Sequence, residues 1–305
     1  MVCIGRVFIN PVDIFTNGLN QKEWVILALV RIPRIILAMG VGAALSISGA
    51  TLQGVSRNPL VGPEILGVSS GAGFGAALAL IFFEGIIPVQ ALAFVFGLSA
   101  VLLTFVVSKA IKNKGNSILV LILSGIAISA TFSAAIGILK YIADPYEKLP
   151  AIVFWLLGSF SSVNWSDIIN VIPLIVGIVS IVLLRWRVNI LSLGEEEAKT
   201  LGVNYGLTRL VLLIAATLAT AASVAICGII AWVGLIVPHI TRKIVGPDHK
   251  ILIPATLSVG AIFMVICDGF ARTLYSFEIP IGIISSLVGA PIFILLLKFG
   301  DKRKW

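Results

Sequence analysis

Charge is scarce in this sequence. Asp and Glu number 14, Lys and Arg 22, and together they make up 12% of 305 residues, against 59% hydrophobic residues. That balance excludes both a disordered chain and an ordinary soluble domain. Only two histidines and three cysteines occur, and Cys3, Cys227 and Cys267 stand apart with no C-x-x-C or Cys/His ligand spacing. No redox or metal role follows, and each thiol is expected to act as a small apolar side chain. No G-x-x-x-x-G-K-[ST] is present, so the chain does not bind nucleotide through a P-loop of its own. Linkers and low-complexity tracts are missing too, which leaves a single domain over 1–305.

Long apolar runs are what the sequence does have. The mean hydropathy is +1.11, and nine runs, roughly 35–54, 65–83, 88–108, 117–138, 168–184, 208–227, 228–245, 250–270 and 279–298, have the length a helix needs to cross ~30 Å of hydrocarbon. They are continuously apolar, whereas barrel strands alternate, so a β-barrel is excluded. The expected fold is all-α, a polytopic transmembrane helical bundle.

The net charge of +8 does not point to nucleic acid, because the basic residues fall in short loops between runs, as membrane orientation requires. With a cytoplasmic C-terminus, Arg57, Lys109, Lys112, Lys114, Arg185, Arg187, Lys199, Arg209, Arg242, Lys243, Lys250, Lys298, Lys302, Arg303 and Lys304 lie inside. Arg6, Lys22, Arg31, Arg34, Lys140, Lys148 and Arg272 lie outside, a division of 15 to 7 among 22 basic residues. Nine spans would start outside, yet no leader carries residues 1–34 across. "MVCIGRVFI" reads as the far end of a shortened helix, and a first span is expected to be missing.

Several motifs look catalytic and are better read as packing. "GAGFGA" (71–76) lies inside an apolar run, not after a strand, and "GVSSG" (67–71) lacks the strand-turn-helix of a nucleophile elbow, which argues against a membrane hydrolase using Ser69 and His239. Small residues recur every fourth position at Gly67, Gly71 and Gly75, at Gly40, Ala44 and Ser48, and at Gly125, Ser129, Ser133 and Gly137; such stripes let membrane helices approach closely. Asp268 lies four residues before Arg272 and is expected to pair with it. Acidic relays at mid-membrane are otherwise lacking, which counts against an ion-coupled secondary carrier. "AIVFWLLGSF" (151–160) is too short to cross and is expected to lie at the outer interface, with Trp155 and Trp165 at headgroup level.

"SLGEEEAKTLGVN" (192–204) sets three acids side by side between two apolar runs. It reads as two short helical pieces, with Glu195 to Glu197 in a first turn and Gly202 as the stop. Ala198, Leu201 and Val203 offer a small apolar face. A solvated loop and a docking helix for a cytosolic partner both fit.

The chain resembles the FecCD-type permeases, the membrane subunits of type II ABC importers for iron-siderophore, haem and cobalamin. The resemblance runs through "RIPRIILAMGVGAALSISGATLQGVSRNPLVGPEILGVSSGAG" (31–73), "LGEEEAKTLGV" (193–203), "GLIVPHITRKIVGPDHKILIP" (234–254) and "EIPIGIISSLVGAPIFILLL" (278–297). The family has ten spans, and nine are found here. It implies a homodimer in a prokaryotic plasma membrane, joined to two ATP-binding cassette subunits that hold ATP and Mg, and to an external substrate-binding protein. No cofactor and no catalytic residue belong to the permease itself. Segment 191–204 would be the cytoplasmic coupling helix, with Gly194, Glu195, Ala198, Leu201 and Gly202 meeting the ATPase. Arg31, Arg34 and Arg272 would dock the binding protein. The path would run between two copies along 117–138 and 279–298, past Ser124, Ser129, Thr131 and Ser133, with Asn58 and Leu60 at an inner gate facing Gly115, Asn116 and Ser117. The implied cargo is a metal chelate; molybdate or tungstate is the alternative within the same permease type.

Overall fold

A computed structural model describes residues 18, 20–111, 117–165, 167, 171–275 and 277–298. Among these residues every regular element is helical. Helix α1 runs Gln21–Ser56 and contains a π-turn, Ile26–Arg31. Pro33 is the cause: it has no N–H for the carbonyl four residues back and its ring crowds Leu29, a misfit the wider turn absorbs. There follow α2 (Val68–Phe82), α3 (Ile86–Ala110), α4 (Ser117–Ile142), α5 (Lys148–Leu156), α6 (Ile172–Leu183), α7 (Arg185–Leu193), α8 (Glu195–Thr200), α9 (Tyr205–Cys227), α10 (Val233–Val245), α11 (His249–Thr273) and α12 (Ile281–Lys298).

Helix α1 is the axis of the bundle. Every residue from Val41 to Val55 is buried, and α11, α9, α10 and α6 surround it, as expected for a helix apolar on all sides. Glycine permits the closest approaches. A methyl on Gly42 would collide with the Gly260 carbonyl of α11, and one on Gly49 with the Gly234 carbonyl of α10. On α2, Gly71 and Gly75 likewise meet the carbonyls of Phe96 and Leu92 of α3. The expected stripe on α4 behaves differently. Gly125 packs against the Ile65 carbonyl, but Ser133 is exposed and a methyl on Gly137 would meet nothing within 4 Å. Leu119, Leu123, Ile126, Ile138 and Tyr141 are also exposed, so α4 turns a long face away from its own bundle.

Each of the nine runs contains a helix, but they are not nine equal spans. Among the described residues five helices are long and apolar enough to cross a membrane alone, and α6 with α7, bent by 60°, would make a sixth. The largest departure is the run 228–245, expected as one span. From Gly228 to Trp232 the chain is not helical, and α10 keeps only 13 residues, about 20 Å of helix. Gly228 and Trp232 both take φ 73°, and the main chains of Gly158 and Gly228 are in close contact, so tertiary packing overrides an unbroken apolar pattern. Helix α5 begins at Lys148, three residues before the expected 151, and Trp165 donates its indole N–H to the Ala28 carbonyl at 2.9 Å.

The two ends of the bundle differ in charge. Helix α12 starts beside α5, where Ile281 N–H donates to the Gly158 carbonyl at 2.9 Å; this far end also holds Arg31, Arg34, Lys140, Lys148 and Arg272. The opposite, basic end gathers Arg57, Lys109, Arg185, Arg187, Lys199, Arg209, Arg242, Lys243, Lys250 and Lys298 at helix termini and turns. Together with Lys22 near the start of α1, the described basic residues fall at the two ends in the two groups that the sequence reading gave them.

Candidate functional site

At the far end the sequence expects Asp268 to pair with Arg272, and it does: Arg272 Nε lies 3.0 Å from Asp268 Oδ2, one turn apart on α11. Arg34 of α1 joins them, its Nε and Nη2 each 2.8 Å from Asp268 Oδ1. Its Nη1 donates to both carboxylate oxygens of Glu278, at 3.0 and 2.9 Å. Two guanidinium groups and two carboxylates thus form one chain of contacts, with Asp268 1% exposed and Glu278 28% exposed. Arg31, three residues before Arg34, is buried as well.

Of the three residues expected to dock a binding protein, Arg31, Arg34 and Arg272, the last two are brought to a common carboxylate, and all three are buried. Removing one partner from such a pair leaves an uncompensated buried charge; here Asp268 and Glu278 supply the compensating acids. Glu278 was not singled out in the sequence. Its signal is an acid directly before the last apolar run.

At the basic end, α8 is a single six-residue helix, not two pieces; the helix before it, α7, ends at Leu193. Glu195, Glu196 and Glu197 occupy its first turn and are exposed, where carboxylates complement the positive end of the dipole. Lys199 Nζ contacts Glu195 Oε1 at 2.7 Å, and this ammonium holds the Glu195 carboxyl below the usual range. The pair is exposed, so it adds little stability. Gly202 sits at φ 75° and donates to the Lys199 carbonyl at 3.0 Å, ending the helix where expected.

The expected apolar face splits in two. Ala198 is fully buried against the chain's own core, whereas Leu201 is 58% exposed. Gly194, at φ 132°, lies where a methyl would come within 3.3 Å of Arg57 Nη1. The start of α8 therefore touches the end of α1.

There the gate candidates begin. Arg57 closes α1 at φ 50°. Asn58 accepts from the Leu60 N–H through Oδ1 at 2.9 Å and forms the turn that exposes Leu60. Gly115 and Asn116 lie outside the described residues, and Ser117 begins α4. Of the path candidates, Ser124 is buried, Ser129 half-buried, and Thr131 and Ser133 exposed. A cavity of 550 Å³ opens beside the gate turn, lined by Gln53, Arg57, Asn58, Ser192, Arg242 and His249 among others. Among the described residues no three His, Cys, Asp or Glu side chains gather as a metal site would require.

The chain matches the FecCD transport family over residues 1–299. The molybdate import system permease protein MolB of Haemophilus influenzae is 45% identical, over 88% of this chain and 79% of its own length. The cobalamin import system permease protein BtuC of Halobacterium salinarum is 40% identical, over 94% and 77%. A solved ABC transporter assigned to the metal-chelate type, in an inward-facing conformation, superposes with a TM-score of 0.88 at 41% identity, covering 97% of this chain and 93% of that one.

Proposed function

This chain belongs to the FecCD transport family, the permeases of ABC importers, and from that premise we propose that it passes a metal chelate inward as one half of a permease dimer. Its basic end faces the cytoplasm and receives two ATP-binding cassette subunits, which hold ATP and Mg. Its far end faces outward and receives a substrate-binding protein carrying the cargo. This chain hydrolyses nothing and binds no cofactor of its own.

One observation carries the coupling. Ala198, the inward residue of α8, belongs to the same buried cluster as Val55 and Val61, which flank the gate turn 57–60, and as Val188, Leu191 and Tyr205. A closely packed core transmits displacement instead of absorbing it. An ATPase that grips Glu195 to Glu197 and Leu201 would move α8, and Ala198 would carry that movement to Asn58 and Leu60. Rigid-body shifts of this kind are a standard means of switching between two states.

A second reading, import of molybdate, is favoured by the likeness to MolB. The two readings share the machine and differ in cargo. The common part is tested by measuring ATPase affinity for the permease in nanodiscs. Glu195→Lys should weaken it while leaving binding-protein affinity unchanged, and unaltered ATPase affinity would contradict the assignment of α8.

A further inference from the structure

Glu64 lies in "RNPLVGPEILG", between the first two apolar runs, where a loop residue would be expected. The structure carries it inward. The 3-10 turn Pro63–Leu66 packs on α4 so closely that a methyl on Gly125 would strike the Ile65 carbonyl, and one on Gly67 would come within 3.4 Å of Ser129 Oγ. Helix α4 begins at Ser117, so these contacts lie eight and twelve residues along it, about 12 to 18 Å from its start at ~1.5 Å per residue. That is near the middle of a ~30 Å hydrocarbon layer.

The other flank of the turn meets the break between α9 and α10. The Trp232 backbone N–H donates to the Glu64 carboxylate, and a methyl on Gly234 would come within 2.6 Å of the Pro63 ring. The Trp232 ring packs against Phe293 of α12, centroids 5.9 Å apart, and a methyl on Gly289 would reach Trp232 Cβ at 2.8 Å. Glu64 therefore stands between α4 and α12. Its side chain is exposed, and the neighbouring Gly62 faces open space. No ion pair within 4.0 Å involves it among the described residues. An ionised side chain at membrane depth is tolerated where it faces a protein interior or a water-filled cavity, and the path between two copies would supply such a cavity.

We propose that Glu64 is the charge-selecting residue of the translocation path, a fixed carboxylate that favours neutral or cationic cargo and holds back oxyanions. This rests on the reading above that α4 and α12 line the path. In a dimer each copy contributes one such group, and low-dielectric walls concentrate its field on whatever passes. A neutral or cationic metal chelate fits this path better than molybdate, an oxyanion, does.

The test uses the assembled importer in proteoliposomes, with the native cysteines replaced and a Ser129→Cys reporter beside Glu64. Two thiol reagents of matched size are compared, one carrying a trimethylammonium and the other a sulfonate. With Glu64 present the cationic reagent should react faster, relative to the same pair on a small free thiol, by at least about tenfold. Glu64→Gln keeps an acceptor for the Trp232 N–H and should bring the ratio to that of the free thiol. Glu64→Asp should retain the preference, and Glu64→Lys should invert it. A reporter that reacts with both reagents at a ratio unmoved by Glu64→Gln overturns the proposal while leaving the path reading intact. A reporter that reacts with neither reagent from either side overturns both.

Discussion

Arg34 and Asp268 lie 2.8 Å apart, a contact that joins residues 234 positions distant and ties the start of the central helix to the end of α11. Because Arg272 shares the same carboxylate, Asp268 is paired with two buried cations. Asp268→Ala should destabilise the permease by about 3–5 kcal/mol, the cost of stranding buried charge. Arg272→Met should cost less, since Arg34 keeps both carboxylates. Thermal unfolding in detergent checks the order; equal losses would mean that Asp268 serves Arg272 alone.

The same cluster bears on docking. Glu278 is the more exposed carboxylate and holds Arg34 through two hydrogen bonds, so an acidic residue of a binding protein docking at Arg34, as proposed, would have to compete with it. Glu278→Gln should tighten docking several-fold, and Arg34→Gln should weaken it by at least about tenfold. Binding kinetics at low and high salt would measure both. If Glu278→Gln weakens docking as much as Arg34→Gln does, Glu278 supports the arginine and does not compete for it.

Coupling should fail separately from assembly. Ala198 has no room, so Ala198→Leu overpacks the core at a cost of about 1–3 kcal/mol and displaces α8 from the gate turn. The ATPase should still bind and hydrolyse ATP, with transport per ATP reduced. Stoichiometric transport in that variant would remove Ala198 from the relay. Gly194→Ala, strained at φ 132°, should act in the same direction.

A pH effect is expected at the basic end. Asp248 caps α11, accepting from the Lys250 N–H at 2.9 Å and from Asn189 Nδ2 at 2.6 Å. These bonds, the backbone one foremost, hold its carboxyl below the ordinary value of 3.8. A carboxyl depressed by folding stabilises above its unfolded pKa, and that contribution is lost as pH falls through the folded value. The melting temperature of wild type should therefore exceed that of Asp248→Ala by a near-constant few degrees from pH 8 to about 5, and part of that gap should close below about 4. A gap that widens on acidification would contradict the assignment.

Which of these features the sequence disclosed depended on their range. The Asp268–Arg272 pair is visible because four residues make one helical turn, and the buried axis because small residues at that spacing admit close neighbours. Arg34 and Glu278 are 244 positions apart, and no periodicity connects them. The break at 228–232 is hidden because "GIIAWV" is as apolar as any span; it arises from Gly158 pressing on Gly228, a contact between distant segments. Glu64 was obscured for a related reason. The apolar run begins at the very next residue, and nothing local says that the chain re-enters the bundle before α2 starts. At α8 the pattern gave the acidic turn and the Gly202 stop, while the burial of Ala198 beside exposed Leu201 depended on how the helix docks.

The central claim is that this bundle has no motor of its own and moves cargo only when a soluble ATPase works on α8. Proteoliposomes holding the permease, loaded binding protein and external cargo, with or without the ATP-binding cassette subunits and internal ATP, test it directly. Accumulation against a gradient only when both ATPase and ATP are present, and its loss with Glu195→Lys, is the predicted result. Accumulation by the permease alone, driven by an ion gradient, would contradict it.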